Sequence, residues 1–206
     1  MKLRGLYAIT PELGDSDLLL QRVGQAIEGG IAVLQYRSKL PKRTRRLREA
    51  KLMATMCRDA GVVFIVNDDV ELALASGADG AHLGRDDGEL AAARTRLRGK
   101  LLGASCYGSL DAARGAVAAG ADYVAFGSMF PSSTKPAAVR APLALFGKAR
   151  AFGVPLVAIG GITLDNAPQL LLAGADSLAV ISDLFDAPDI AGRAQSYGRL
   201  FPHDLT

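Results

Sequence analysis

The sequence predicts a single-domain α/β protein, a (β/α)8 barrel of the TIM type, from three observations. Eight short apolar runs alternate with longer amphipathic stretches from end to end, the rhythm of βαβ units and a parallel sheet. A phrase built on Gly-Ala-Asp recurs ahead of several of these runs, so successive units turn in a similar way. The chain's 206 residues suit one such barrel as a single domain over 1–206. Eight strands matter because a closed set leaves no edge exposed.

The first strand candidate is Gly5 to Thr10, and the second is Ala32 to Arg37, leading into Gln35-Tyr36-Arg37-Ser38-Lys39. Successive strand side chains point to opposite faces, so Gln35, Arg37 and Lys39 are expected on one side and Tyr36 on the other. Two cations and an amide then converge on the strand's C-terminal tip, a cluster suited to a phosphorylated ligand. The competing account is an edge strand with scattered charges. After Pro41, the residues Leu47, Ala50, Ala54 and Cys57 recur at helical spacing and form a stripe for packing on the barrel. Lys42, Arg43, Arg45, Arg46, Arg48 and Lys51 crowd the same helix; without interleaved aromatics they read as a solvated face, not a nucleic-acid patch.

The third strand, Val63 to Asp68, ends in Asn67-Asp68-Asp69, and the fourth, Gly80 to Gly84, runs on through Arg85-Asp86-Asp87. His82, in mid-strand, reads as a packed core residue. In the fifth, Leu101 to Cys106, Ser105 faces the barrel mouth and Cys106 the helices; no histidine is expected beside Ser105 as a base, so its hydroxyl is assigned to hydrogen bonding. The sixth, Tyr123 to Ser128, leads into Pro131-Ser132-Ser133-Thr134-Lys135, and the stretch from Ser128 to Pro142 is long enough for a lid. The seventh, Pro155 to Gly160, continues into Gly161, and the eighth, Ser177 to Ser182, closes on Ile181-Ser182. The tail from Phe201 to Thr206 reads as frayed, with His203 on the surface.

The recurring phrases are Ser76-Gly77-Ala78-Asp79, Ala119-Gly120-Ala121-Asp122 and Ala173-Gly174-Ala175-Asp176, with Glu28-Gly29-Gly30-Ile31 a looser copy. Each glycine stands where a helix ends and the chain enters a left-handed conformation. These turns belong to the bottom of the barrel, which leaves the strands' C-terminal ends for chemistry.

Composition narrows the class. Hydrophobic residues make up 50% and charged residues 22%, as in ordinary globular proteins. No apolar run reaches membrane-spanning length and no secretory segment opens the chain, so a cytoplasmic protein without membrane or nucleic-acid partners is expected. Cys57 and Cys106 lack metal-ligand spacing and read as buried free thiols. The net charge of +3 tolerates anionic ligands. No dinucleotide fingerprint is present, and a homo-oligomer is left open.

Asp68 and Asp87, from adjacent strands, offer hard oxygen ligands for one Mg2+. The competing account makes both of them helix N-caps. Their placement beside Arg37, Lys39 and Lys135 favours the metal, because a cation-rich mouth with a divalent ion is what a departing diphosphate requires. A second anion site draws on the Ser132 to Lys135 loop, on Gly160-Gly161, where a backbone can approach an anion closely, and on the amides near Ile181 and Ser182.

Taken together, Gln35 to Lys39, Val66-Asn67-Asp68, Gly77 to Gly84, Ser132 to Lys135, Ala158 to Ile162 and Ala179 to Ser182 resemble thiamine-phosphate synthases, in order and across nearly the whole chain. The resemblance implies a transferase of thiamine biosynthesis that joins a pyrimidine diphosphate to a thiazole phosphate. It implies Mg2+ on Asp68 and Asp87. It places the pyrimidine diphosphate on Gln35, Arg37, Lys39, Asn67, Ser105 and Lys135, with Arg37, Lys39 and Lys135 catalytic. The thiazole phosphate falls to Ser132, Ser133, Thr134, Gly161, Ile181 and Ser182. Three positions depart from that pattern: Tyr107 for a common histidine, Ser132 for threonine and Arg85 for glutamine. The alternatives are a related thiazole tautomerase, a family that depends on that histidine, and a non-catalytic phosphate-binding barrel.

Overall fold

The three Gly-Ala-Asp phrases do more than end helices. Gly77, Gly120 and Gly174 adopt φ of 80°, 92° and 109°, the left-handed region in which glycine carries no Cβ penalty. The aspartate two residues on then reaches the neighbouring strand: Asp79 accepts from the Phe64 amide (2.8 Å), Asp122 from that of Leu102 (2.7 Å) and Asp176 from that of Leu156 (2.9 Å). Backbone donors at the base of three strands are thereby satisfied by side chains. Arg94 and Arg150 pair with Asp122 and Asp176.

These turns repeat around a closed barrel in a computed structural model that describes residues 3–85, 87–131 and 140–201. Eight parallel strands pair in chain order, with the first hydrogen-bonded to the eighth. They are β1 (Gly5–Ile9), β2 (Val33–Tyr36), β3 (Val63–Asn67), β4 (Gly80–Leu83), β5 (Leu101–Tyr107), β6 (Tyr123–Phe126), β7 (Leu156–Ile159) and β8 (Ser177–Val180). The helices between them are α1 (Ser16–Glu28), α2 (Arg43–Ala60), α3 (Val70–Ser76), α4 (Leu90–Arg96), α5 (Leu110–Ala118), α6 (Ala144–Ala149) and α7 (Ala167–Ala173), with α8 (Ser182–Phe185) and α9 (Ile190–Gly198) after β8. All eight expected strands are present.

Strand alternation divides the core into two layers. Tyr7, Ile9, Val33, Ile65, Tyr123, Ala125, Val157 and Ala179 point inward and fill the barrel. The opposite parity, including Leu34, Tyr36, Val66, Leu83 and Cys106, packs against the helices. Cys57 and Cys106 are buried, unbridged thiols, and burial pushes each up to about 12.

Two details depart from expectation. Helix α2 buries Ala50, Ala54 and Cys57 as its periodicity requires, but it also buries Met53 and Glu49, while Leu47 is only partly covered. Glu49 is 1% exposed and accepts hydrogen bonds from Tyr36 and Ser16 (2.5 Å each) and from Arg45 (2.8 Å). Burial alone would raise its carboxyl, yet these three donors outweigh burial and hold it below the usual 4.5. Phe201, the first residue of the expected tail, packs into the outer core. The rest of the tail, with His203, lies outside the described residues.

Candidate functional site

The C-terminal ends of β2 to β5 form the best-defined part of the mouth. Asn67, Asp68 and Asp87 line one cavity of about 520 Å³, together with Ser38 and Arg46. Asp68 follows directly on β3 with φ of 63°, a left-handed conformation tolerated by few residues other than glycine, and its amide donates to the His82 carbonyl (2.8 Å). Asp87 lies beyond β4 and accepts from the Gly84 amide (2.7 Å). Neither is a helix cap. That position in α3 belongs to Asp69, whose carboxylate accepts from the Leu72 amide, and in α4 to Glu89. The capping account of Asp68 and Asp87 is therefore removed.

The donor set suits a particular kind of ion. Among the described residues no group of three or more His, Cys, Asp or Glu side chains is placed to hold a metal. Asp69, Glu71 and Glu89 line the same cavity, and a pair of carboxylates such as Asp68 and Asp87 would fit Mg2+, which ordinarily takes one or two from the protein and its remaining oxygens from water and substrate phosphate.

The positive residues of β2 sit differently from the sequence expectation. The strand stops at Tyr36, so strand alternation does not extend to Arg37 and Lys39. A loop contact from β1 governs this part of the mouth instead. The Arg37 amide donates to Thr10 Oγ1 (2.9 Å), its guanidinium pairs with Glu12 (3.4 Å), and the Lys39 amide donates to the same Glu12 carboxylate (3.1 Å). Glu12 thus fixes the segment carrying both cations, and Lys39 is exposed. Tyr36 does take the opposite face, where its bond to Glu49 anchors the end of β2 on α2.

Gln35 and Ser105 both face inward. Gln35 Nε2 donates to the Tyr7 hydroxyl (2.8 Å), and Ser105 Oγ lies 2.9 Å from His82 Nε2. The expectation that no histidine accompanies Ser105 is thus corrected: pairing of β4 with β5 places the two side chains in contact. His82 is nonetheless a packed core residue, 6% exposed. Burial lowers it to about 4, against a smaller opposing effect from Asp87, so at neutral pH it is too weak a base to activate a serine.

On the far side of the mouth, Gly160 and Gly161 have φ of 104° and 62°. A Cβ on Gly161 would lie 2.3 Å from the Pro131 carbonyl oxygen, and one on Gly160 would lie 2.3 Å from Ser128 Oγ. Close passage of the segment after β6 therefore accounts for both glycines without a ligand. Ile181 caps α8, and Ser182 opens it at the end of β8. Tyr107 has φ of 53° and is 40% exposed, and the Arg85 guanidinium sits 4.8 Å from its ring centroid. Two of the three unusual positions thus touch each other.

A sequence profile described as thiamine monophosphate synthase matches residues 6–184. The chain is 58% identical over 202 residues to a thiamine-phosphate synthase from Aromatoleum aromaticum, covering 97% of both chains. This chain belongs to the thiamine monophosphate synthase family. It is also 53% identical to a thiamine-phosphate synthase from Chromobacterium violaceum, again over 97% of each chain. A solved thiamine phosphate pyrophosphorylase from Pyrococcus furiosus superposes with a TM-score of 0.86 at 34% identity, covering 97% of this chain and 96% of that one. A 3-hexulose-6-phosphate synthase at 18% identity shares the fold, with a TM-score of 0.72.

Within this member of the thiamine monophosphate synthase family, Ser132, Ser133, Thr134 and Lys135 lie outside the described residues, as does most of the expected lid. The ends of that segment meet, the Ala141 amide donating to the Ser128 carbonyl (2.9 Å). Glu12, Thr10 and His82 join the candidate site through contacts that only the fold makes. Glu12 and Thr10 had a readable signal in their position at the end of the first strand; His82 needed the register of two strands.

Proposed function

We propose that this chain condenses 4-amino-2-methyl-5-hydroxymethylpyrimidine diphosphate with 4-methyl-5-(2-hydroxyethyl)thiazole phosphate, giving thiamine phosphate and diphosphate. The observation that carries this reading is 58% identity, over 97% of both chains, to a protein named thiamine-phosphate synthase. The reaction requires the bond between the pyrimidine methylene carbon and the diphosphate oxygen to break, its electron pair leaving with the oxygen. The thiazole nitrogen then forms the new carbon–nitrogen bond with its own lone pair. No proton moves, so no general base is needed, which suits a site where, among the described residues, the serine–histidine contact of Ser105 with His82 involves an imidazole that stays neutral.

Asp68 and Asp87 would hold one Mg2+, which when bound offsets charge gathering on the diphosphate. Arg37 and Lys39, on the segment pinned by Glu12, and Lys135 supply further positive charge to the leaving group. Gln35, Asn67 and Ser105 orient the pyrimidine. Ser132, Ser133, Thr134, Gly161, Ile181 and Ser182 receive the thiazole phosphate. The test is to incubate the protein with both substrates, with and without Mg2+, and measure diphosphate and thiamine phosphate. Equal, metal-dependent release of the two is expected. Isomerisation of a thiazole carboxylate phosphate without metal, or ligand binding without product, would contradict the reading.

A further inference from the structure

Five polar side chains run in line across a largely apolar barrel interior. From Gln35 Nε2 the path passes to Tyr7 Oη (2.8 Å), Tyr123 Oη (2.8 Å), His82 Nδ1 (3.1 Å) and, from His82 Nε2, to Ser105 Oγ (2.9 Å). The interior of the path is sealed: Tyr7 is 1% and Tyr123 0% exposed. Their immediate company includes Ile9, Val33, Ile65 and Val157. Phenylalanine would fill the same volume without hydroxyls that must be paired, so packing alone does not account for the path.

Space has been made for it as well. His82, Gly103 and Tyr123 occupy one row across β4, β5 and β6. A Cβ on Gly103 would lie 2.1 Å from the Tyr123 ring and 2.6 Å from His82 Nδ1. Glycine inside a strand costs stability, and here it lets the two rings stack at 5.5 Å between centroids.

We propose that Tyr7, Tyr123 and His82 are positioning residues that couple the hydrogen-bonding sense of Gln35 to that of Ser105, and thereby select an aminopyrimidine over its oxo counterpart. The proposal rests on the reaction assigned above.

The coupling follows from what each group can donate. A carboxamide nitrogen only donates, so Tyr7 Oη accepts from Gln35 and gives its own hydrogen to Tyr123. Tyr123 then donates to His82 Nδ1. A neutral imidazole that accepts at Nδ1 carries its hydrogen on Nε2 and donates to Ser105, whose own hydrogen is left for a ligand. Turning the Gln35 amide over would reverse every link and leave Ser105 accepting from the ligand instead. The two ends change sense together.

An aminopyrimidine presents an amino donor beside a ring-nitrogen acceptor. The remaining N–H and the carbonyl of the Gln35 amide complement that pair. An oxo analogue presents the reverse and demands reversal of the whole path, which makes the discrimination larger than one contact would supply.

The test compares kcat/KM for the aminopyrimidine diphosphate and for its 4-oxo analogue in the wild-type chain, Tyr7→Phe and Tyr123→Phe. A ratio of the two substrates cancels the amount of folded protein, so a purely structural role does not move it. The expected result is a ratio narrowed about 10- to 100-fold in both variants, through loss on the amino substrate, with KM for thiazole phosphate held within about twofold. Unchanged ratios in both variants, with wild-type turnover intact, would overturn the proposal alone. A wild-type chain that makes no thiamine phosphate would overturn the assigned reaction and the proposal together.

Discussion

The two ends of this barrel set the same residue type in different backbone surroundings. At the base, Asp79, Asp122 and Asp176 are tied to backbone amides of neighbouring strands, and every positive φ in the repeated turns falls on glycine. At the mouth, Asp68 and Tyr107 themselves take positive φ, and neither Asp68 nor Asp87 serves a helix as its cap. The base is built from locally favourable choices that agree with one another. The mouth departs from those choices where ligands are expected to bind, which is how a folded chain accommodates a working site. The difference lies in the backbone at Asp68; Asp87, like the base aspartates, accepts from a backbone amide.

Substitutions at the two ends sharpen that contrast. Asp68→Asn is expected to lower kcat about 100- to 1,000-fold while the unfolding midpoint in denaturant stays near wild type; turnover within a few-fold of wild type would break the comparison. Glu49 offers a third case, a carboxylate beneath the mouth that behaves like those at the base. Removing a buried carboxylate that serves three donors should cost about 3 kcal/mol in Glu49→Ala, measured by denaturant titration. Its sign with pH is defined. Because the folded chain holds Glu49 below 4.5, its contribution is present above that pH and drains away as pH falls through the lowered folded value; Glu49→Gln should flatten this acid limb.

Asp122→Ala leaves the Leu102 amide and Arg94 without their shared partner. It should cost about 1–3 kcal/mol in stability with kcat unchanged within about twofold. A large catalytic loss there would show that the base and the mouth are not separable. The smallest effect belongs to Arg85→Ala, which forfeits the contact with the Tyr107 ring and should shift stability by less than about 1 kcal/mol.

Most of the fold was legible because buried parallel strands read as apolar runs and because the glycine turns repeat. Gly77, Gly120 and Gly174 could be assigned their conformation before any coordinates, since only glycine takes it cheaply. The candidate site is legible where it follows strand tips, in that Asn67, Asp68 and Asp87 line one cavity. What escaped depends on pairing between distant segments. His82 meets Ser105 only because β4 and β5 align His82 with Gly103, a register no local pattern encodes. Arg37 is held by Glu12 from just beyond β1, and strand alternation ends with the strand at Tyr36. Glu49 was hidden among the charges of a basic helix, where a carboxylate reads as solvated until Tyr36, Ser16 and Arg45 are seen to converge on it.

Asp68 and Asp87 are proposed to hold one divalent ion together at the mouth. Mn2+ bound in place of Mg2+ can be counted by electron paramagnetic resonance, with diphosphate present, in the wild-type chain and in Asp68→Asn and Asp87→Asn. One ion per wild-type chain is expected, with loss of that ion in each variant. Undiminished binding in both variants would contradict it.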